Sequence, residues 1–499
     1  MTHVSSLLAF VAYTGLSVLL FGRGVVASMD EKVVGDAGSD KTIFMWAFEW
    51  WPRALANGRD PFDAHVVWAP RGMDLSWVAA VPGAAYAAAP LTYAAGPVVA
   101  YNVATLLAPA TAAWGAFLLA RHLTASMGPA FVCGLLFGFS SFEIGQTIGH
   151  LHLTIVVAIP LVALLVVRRF EESLSRWWFV ALLTLALAAQ FLVSTEVFLM
   201  LVGVGAVALA LAWWILEREL RPRLRRTTSE AFLALCATAV VLSPYLIHAF
   251  VLTGARWAPT RDPFAASADL ANFVIPRHWT WVQPPGSDEV ARHFTANPVE
   301  STAYLGVPLL LIVALFALQH GRPRSQVLLL ALLGTTVVFS LGPWIRLAGT
   351  TIAPGPGQAL AHIPVTHSAL PVRLTLFVSL CCGLVCALWL AERPSSVFRW
   401  VLAGLALVAL LPTPSTSFWT AEVERSRFFA EGGAERRFDP DDIVLVLPYG
   451  RSGWSMLWQA EGDFAYRMAG GRLGNLPPEE QRWLPILRTL AGCLFMAAT

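Results

Sequence analysis

A chain of 499 residues in which 57% are hydrophobic and only 13% charged, with a net charge of +2, exceeds what a packed globular core can hide. The surplus apolar surface must face lipid, which excludes an ordinary soluble domain and makes the bilayer the first partner. A charge this small, with no Lys/Arg tract carrying interleaved stacking aromatics, gives no basis for nucleic-acid binding.

Apolar stretches of spanning length recur along the chain, each near the ~20 residues that cross a hydrocarbon core. About eleven are expected, over residues 5–27, 96–119, 127–147, 152–167, 177–194, 197–216, 230–251, 302–319, 326–342, 374–391 and 399–413. The fold class is therefore an all-α polytopic membrane protein, with residues 1–413 as the transmembrane domain and 414–499 as a C-terminal region. Arg121, then Arg168, Arg169 and Arg176, then Arg218 to Arg226, then Arg322 and Arg324, then Arg393 and Arg399 fall in every second connector. Short cytoplasmic loops are enriched in such residues. The N-terminus then lies in the cytoplasm, and segments 28–95, 252–301, 343–373 and the tail from 414 lie outside the plasma (inner) membrane. The first run also carries Val25-Val26-Ala27-Ser28, which resembles a signal-peptide cleavage region, but no cationic stretch precedes it and a retained helix keeps the alternation.

Residues 41–57 of the long first loop place Trp46, Trp50 and Trp51 at near-helical spacing among few charges, which suits a helix lying in the membrane interface. Pro52 should kink or interrupt it. Turn formers follow, at Asp60-Pro61 and Pro70-Arg71-Gly72. In the tail, Ile443 to Pro448 reads as a short buried strand between Asp441-Asp442 and Tyr449-Gly450, so the tail is expected to be a small extracytoplasmic α/β region. It ends on an apolar run, Leu490 to Thr499. Five of the cysteines (Cys133, Cys236, Cys381, Cys382, Cys386) sit inside apolar runs and read as small core residues rather than a disulfide framework.

Ionisable groups in or beside apolar spans are costly to hold there, so each is a functional candidate. Asp30, Glu31, Asp36 and Asp40 gather in one segment after the first span. A carboxylate there could act as base toward an acceptor hydroxyl, and a pair could hold a divalent cation such as Mg or Mn against a phosphate. A solvated acidic loop is the plainer account of the same spacing. Glu196 lies at the junction of two spans, where it serves either a substrate or the first turn of a helix capped by Ser194 or Thr195. His150 and His152 follow Glu143 and Gln146; at i and i+2 they do not share a helical face, so a metal pair is disfavoured and a substrate hydrogen bond from His150 fits better. Arg373, at the start of the tenth span, and Arg277 offer guanidinium forks that match a lipid phosphate, with snorkelling to the interface as the alternative. The chain contains no GxGxxG, HExxH, EF-hand or GxSxG pattern.

The arrangement resembles the GT-C class of polytopic glycosyltransferases. The resemblance rests on the first span, the loop with Gly35-Asp36 and Ser39-Asp40, the segment Trp46 to Trp51, Ala54 to Phe62, and Trp68 to Leu75. Weaker echoes follow in Phe137 to Ser141, Gly149-His150, Leu445 to Gly450 and Tyr466 to Gly471. The first 160 residues are similar to a bacterial group of membrane proteins placed near this class. The resemblance implies a polyprenyl-phosphate-linked sugar as donor, a glycan, lipid or protein as acceptor, and a catalytic aspartate in the first outside loop, at Asp40 with Asp36 second. Glu196, His150, Arg277, Arg373 and Trp50 are the substrate-binding candidates. The tail has no WWDxG motif, so the resemblance stops short of oligosaccharyltransferases. The competing reading is a transporter or flippase of a lipid-linked cell-envelope intermediate, which would place charge at the centres of its spans.

Overall fold

The computed structural model describes residues 2–36, 40–253, 266–360, 370–429, 433–434, 436–447 and 453–473. The fold is mostly helical. Helix α1 (Thr2–Ser17) runs on through a wider π-turn (Val18–Gly22), and a short strand, β1 (Lys32–Val34), leads to α2 (Asp40–Ala56). Next come α3 (Pro82–Thr124), α4 (Met127–Gly138), α5 (Ser141–Thr147), α6 (Leu151–Thr154), α7 (Ala158–Phe170), α8 (Arg176–Val193) and α9 (Thr195–Ile215). The boundaries follow local chemistry: Ser140 and Ser194 accept from the backbone N–H groups of Glu143 and Val197 and so cap α5 and α9. Within α3, Gly96 at φ 85° breaks the run and Pro97 restarts it, so the apolar half begins where the span 96–119 is expected.

Among the described residues six helices are long and apolar enough to cross a membrane, and up to eight if two bent pairs each count as one span. The bent pairs are Met127–Gly138 with Ser141–Thr147, at 44°, and Arg218–Val241 with Ser243–Leu252, at 67°. Each coincides with one expected span. Three further expected spans correspond to shorter apolar helices, Val307–Ala317, Arg324–Ser340 and Val397–Leu410. Leu185, Trp214 and Val240 on three of the spanning helices are at least two-thirds exposed, as lipid-facing side chains are. The chain is a membrane protein.

Among the described residues three large clusters of buried side chains organise the helices. One joins α1, α3, α4 and α7 to α9, and another joins the Val307–Ala317, Thr375–Glu392 and Val397–Leu410 helices. The third encloses α2. There Trp46, Trp50 and Trp51 are buried, and each indole N–H donates to protein: to Gln459 Oε1, Pro61 O and Ala80 O. The helix expected at the lipid interface is thus walled in on all sides, and it continues through Pro52 without interruption. Its tryptophans satisfy their polar handles inside the protein instead of at headgroups.

The tail builds part of the wall, beside the first loop and α3. Trp454, Met456, Leu457, Ala460, Tyr466 and Met468 share the α2 core. Strand Thr420–Glu422 pairs with β1, and Ile443–Val444 forms a two-residue parallel pairing with Arg467–Met468. The strand expected at 443–448 is therefore shorter and half-exposed, with Ile443 at 48% and Leu445 at 52%. Pro448, Tyr449-Gly450 and Leu490 to Thr499 lie outside the described residues.

Candidate functional site

Asp40 opens α2, where a carboxylate is favoured by the free N–H groups and positive end of the helix. Two glycines set what stands beside it. Gly35, at φ 103°, lies so close to the backbone of Ile148 that a Cβ would sit 2.1 Å from Ile148 O, which docks the end of β1 on the end of α5. Gly145 lets α5 approach Val299 and Thr302, where a Cβ would meet Thr302 at 2.7 Å. The end of α5 is thereby pressed between the first loop and the short 3-10 turn Pro298–Glu300.

The result is a chain of charged and polar contacts drawn from six segments. Arg472 Nε donates to Asp40 Oδ1 at 2.7 Å, and its Nη2 bonds the same oxygen. On the other side, His150 Nε2 lies 3.3 Å from Asp40 Oδ2, and His150 Nδ1 is 2.6 Å from Gln146 Oε1. Gln146 Nε2 donates to Val299 O at 3.2 Å and to Glu300 Oε2 at 3.4 Å. This orients the amide with its oxygen toward the imidazole, so both ring nitrogens face acceptors. Glu300, almost fully buried, receives Arg373 Nε at 3.1 Å and also Arg373 Nη2, while Arg373 Nη1 bonds Glu196.

Burial pushes the Asp40 carboxyl up, but the hydrogen bond from His150 and the charge of Arg472 outweigh it and hold Asp40 well below the usual carboxylate range. Its neighbour Lys41 is fully buried, with Nζ 3.6 Å from Asp36. Burial lowers the Lys41 ammonium to about 8 against the pull of Asp36 and Asp40.

Four of the residues singled out from sequence, Asp40, His150, Glu196 and Arg373, meet in this network, and Asp36 stands at its edge beside Lys41. Glu196 also sits in the first turn of a helix capped by Ser194, so both accounts of it hold. Arg373 differs from expectation in its surroundings: its guanidinium is spanned by two carboxylates and 1% exposed, so it organises Glu196 and Glu300 and presents no fork to a phosphate. His152 turns away from Asp40 and lies against Phe44, with ring centroids 5.6 Å apart. Arg277 bonds Ala291 O and lies over the Trp279 ring, and Trp50 is stacked on Trp46 in the α2 core. The contacts of both are those of scaffold residues. Asp30 and Glu31 are exposed in the turn before β1.

Sequence reasoning missed Glu300 and Arg472. Glu300 hides in a capping pattern, with Asn297 Oδ1 accepting from Glu300 N at 2.9 Å. Arg472 directly follows the Tyr466 to Gly471 echo, and nothing local marks it. A divalent cation needs carboxylate or imidazole donors turned to one point, and among the described residues no group of three does this. Asp40 already carries a guanidinium on one oxygen and an imidazole at the other. These residues do not fit a resident divalent ion.

No curated protein matches the sequence. Among solved structures the fold is similar to that of the Archaeoglobus fulgidus oligosaccharyltransferase crystallised with Zn and sulfate (TM-score 0.55, 10% identity, 93% of this chain and 62% of that one). It is similar also to the same organism's AglB with an inhibitory peptide and a dolichol-phosphate (TM-score 0.52, 11% identity, 93% and 64%). A third match is that oligosaccharyltransferase tethered to an acceptor peptide containing the NVT sequon (TM-score 0.51, 13% identity, 93% and 64%). The chain thus spans less than two thirds of the length of these proteins. The fold likeness reaches oligosaccharyltransferases, where the missing WWDxG motif suggested a boundary. The family model described as "Domain of unknown function (DUF6311)" matches residues 10–411, and the chain belongs to that family.

Proposed function

We propose that this protein is a glycosyltransferase of the plasma membrane, GT-C-like, which moves a sugar from a polyprenyl-phosphate donor to an extracytoplasmic glycan, lipid or protein acceptor. The observation that carries the reading is the Asp40–His150 pair, set at the ends of two helices in a fold similar to that of an oligosaccharyltransferase. In this reading the N-terminus is cytoplasmic, and the first loop and tail face outward, in agreement with the placement of Arg-bearing connectors.

The chemistry is a single displacement with inversion. The acceptor hydroxyl attacks the anomeric carbon, the bond from that carbon to the phosphate oxygen breaks, and the polyprenyl phosphate leaves. Asp40, ionised throughout the working range, orients the hydroxyl and takes its proton as the new bond forms, when that proton has become acidic. His150 holds the Asp40 carboxylate in place. Arg373, through Glu300 and Gln146, fixes His150, and Glu196 completes the charge around Arg373. Asp36 stands second at the loop edge; Trp50 and Arg277 serve as scaffold.

The test is transfer of radiolabelled sugar from polyprenyl-phosphate donors to extracted membrane glycans, with full-length protein in lipid. Asp40→Asn should lower transfer at least ~100-fold, with folding and donor binding retained, and Asp36→Asn should lower it less. Transfer indifferent to Asp40 would remove the site. No transfer with any donor, together with movement of the lipid-linked sugar across the bilayer, would replace the enzyme by a transporter.

A further inference from the structure

The tail segment that carries Arg472 is not merely near the first loop; it is sewn into it. Met468 N donates to Val66 O at 2.8 Å, Ala69 N to Met468 O at 2.9 Å and Trp68 N to Gly470 O at 3.1 Å. Gln459 Nε2 bridges Val66 O and Tyr466 O, and its Oε1 accepts from Trp46 of α2. The backbone is thus fixed on both sides up to Gly470, two residues before the guanidinium that grips Asp40. This segment lies beyond the part of the chain that matches the family model.

Every carboxylate of the site already has a cation of the chain beside it, with Arg373 shared between two of them. Asp40 is matched by Arg472 and faces His150; Asp36 is matched by Lys41; Glu196 and Glu300 are matched by Arg373. A divalent ion approaching Asp40 would have to displace a guanidinium that the fold holds in place, against like-charge repulsion. The Asp40–Arg472 pair is also reached by solvent, with side chains 37% and 24% exposed, so it lines the part of the site that a ligand meets.

We infer that Arg472 takes the place of a divalent cation at Asp40: the tail supplies the positive charge that Asp40 faces, and the site works without a metal. The inference rests on Asp40 being the centre of the proposed transferase. It makes Arg472 a positioning residue, acting through Asp40, and makes residues 466–472 an integral part of the site.

Full-length protein in lipid nanodiscs, stripped with EDTA, is titrated with Mn2+ and followed by electron paramagnetic resonance. Wild type and Arg472→Lys should show no Asp40-dependent Mn2+ site. Arg472→Gln, which vacates one carboxylate oxygen, should open one that binds Mn2+ about tenfold or more tightly than the wild-type background. Adding Asp40→Asn should abolish it, and thermal melting confirms that each variant is folded. An Asp40-dependent Mn2+ site already present in the wild type, or none opened by Arg472→Gln, would overturn the inference. The readout is metal binding, so it decides independently of whether sugar transfer is the reaction. Where transfer is measured, EDTA should leave the wild-type rate unchanged.

Discussion

Arg373 and Glu300, 73 positions apart in the chain, form a two-point ion pair: Arg373 Nε donates to Glu300 Oε2 at 3.1 Å while Nη2 bonds Oε1. Glu196 holds the third nitrogen. Two carboxylates and one guanidinium, nearly sealed from water, stay together only because each supplies what the others need.

Breaking that set should be felt in stability. Arg373→Met leaves Glu196 and Glu300 facing each other without their cation and should lose about 3–5 kcal/mol. Glu300→Gln, which keeps the shape and removes one charge, should lose less. Thermal unfolding in detergent checks both, and an Arg373→Met protein as stable as wild type would remove the structural role given to this cluster.

Gly35 should tolerate no side chain. A Cβ there would meet Ile148 O at 2.1 Å, on a backbone at φ 103°. Gly35→Ala should cost about 1–3 kcal/mol and, by lifting the end of β1 off α5, reduce transfer along with stability. Gly149→Ala, where a Cβ meets nothing within 4 Å, is the control and should behave as wild type. Equal behaviour of the two would mean that the end of β1 is not seated through Gly35.

Lys41 should make stability depend on alkaline pH. Its ammonium is lowered from 10.5 to about 8 by burial, so between those values the unfolded chain binds more protons than the native one. Native stability should therefore rise with pH across that window, and below about 8 the charged form carries a penalty of roughly 3 kcal/mol. Lys41→Met should raise the melting temperature at pH 7, with the gain shrinking toward pH 10. A constant difference across the range would contradict a buried ammonium.

Asp40 has the opposite sign. Its carboxyl is held below the usual range, so its contribution is fully present above that range and lost as pH falls through the native value. Wild type should lose more stability on acidification from pH 6 to 3 than Asp40→Asn does. Arg472→Gln, lacking one source of the downward pull, should move the acid limb to higher pH. Acid melting curves of the three proteins test this, and superimposable curves would show that the pair is not coupled.

The sequence by itself determined the elements. Apolar runs of spanning length, the Ser194 or Thr195 cap and the Trp-bearing stretch before Pro52 placed helices close to where they form, because helix formation and apolar burial follow from residues within a few turns of each other. It also marked Asp40, His150, Glu196 and Arg373, since charge beside an apolar span is costly enough to be conspicuous. What only the tertiary structure decided was partnership. Nothing local tells that Glu300 closes the Arg373 cluster or that Arg472 returns to Asp40 across 432 positions. The same holds for the α2 tryptophans, whose composition fits a lipid interface and whose actual cover is the tail together with the first loop and α3. Burial and pairing depend on which distant surfaces arrive, and those surfaces are brought by close approaches such as Gly35 on Ile148, where the absence of a side chain leaves no local signal of what fills the space.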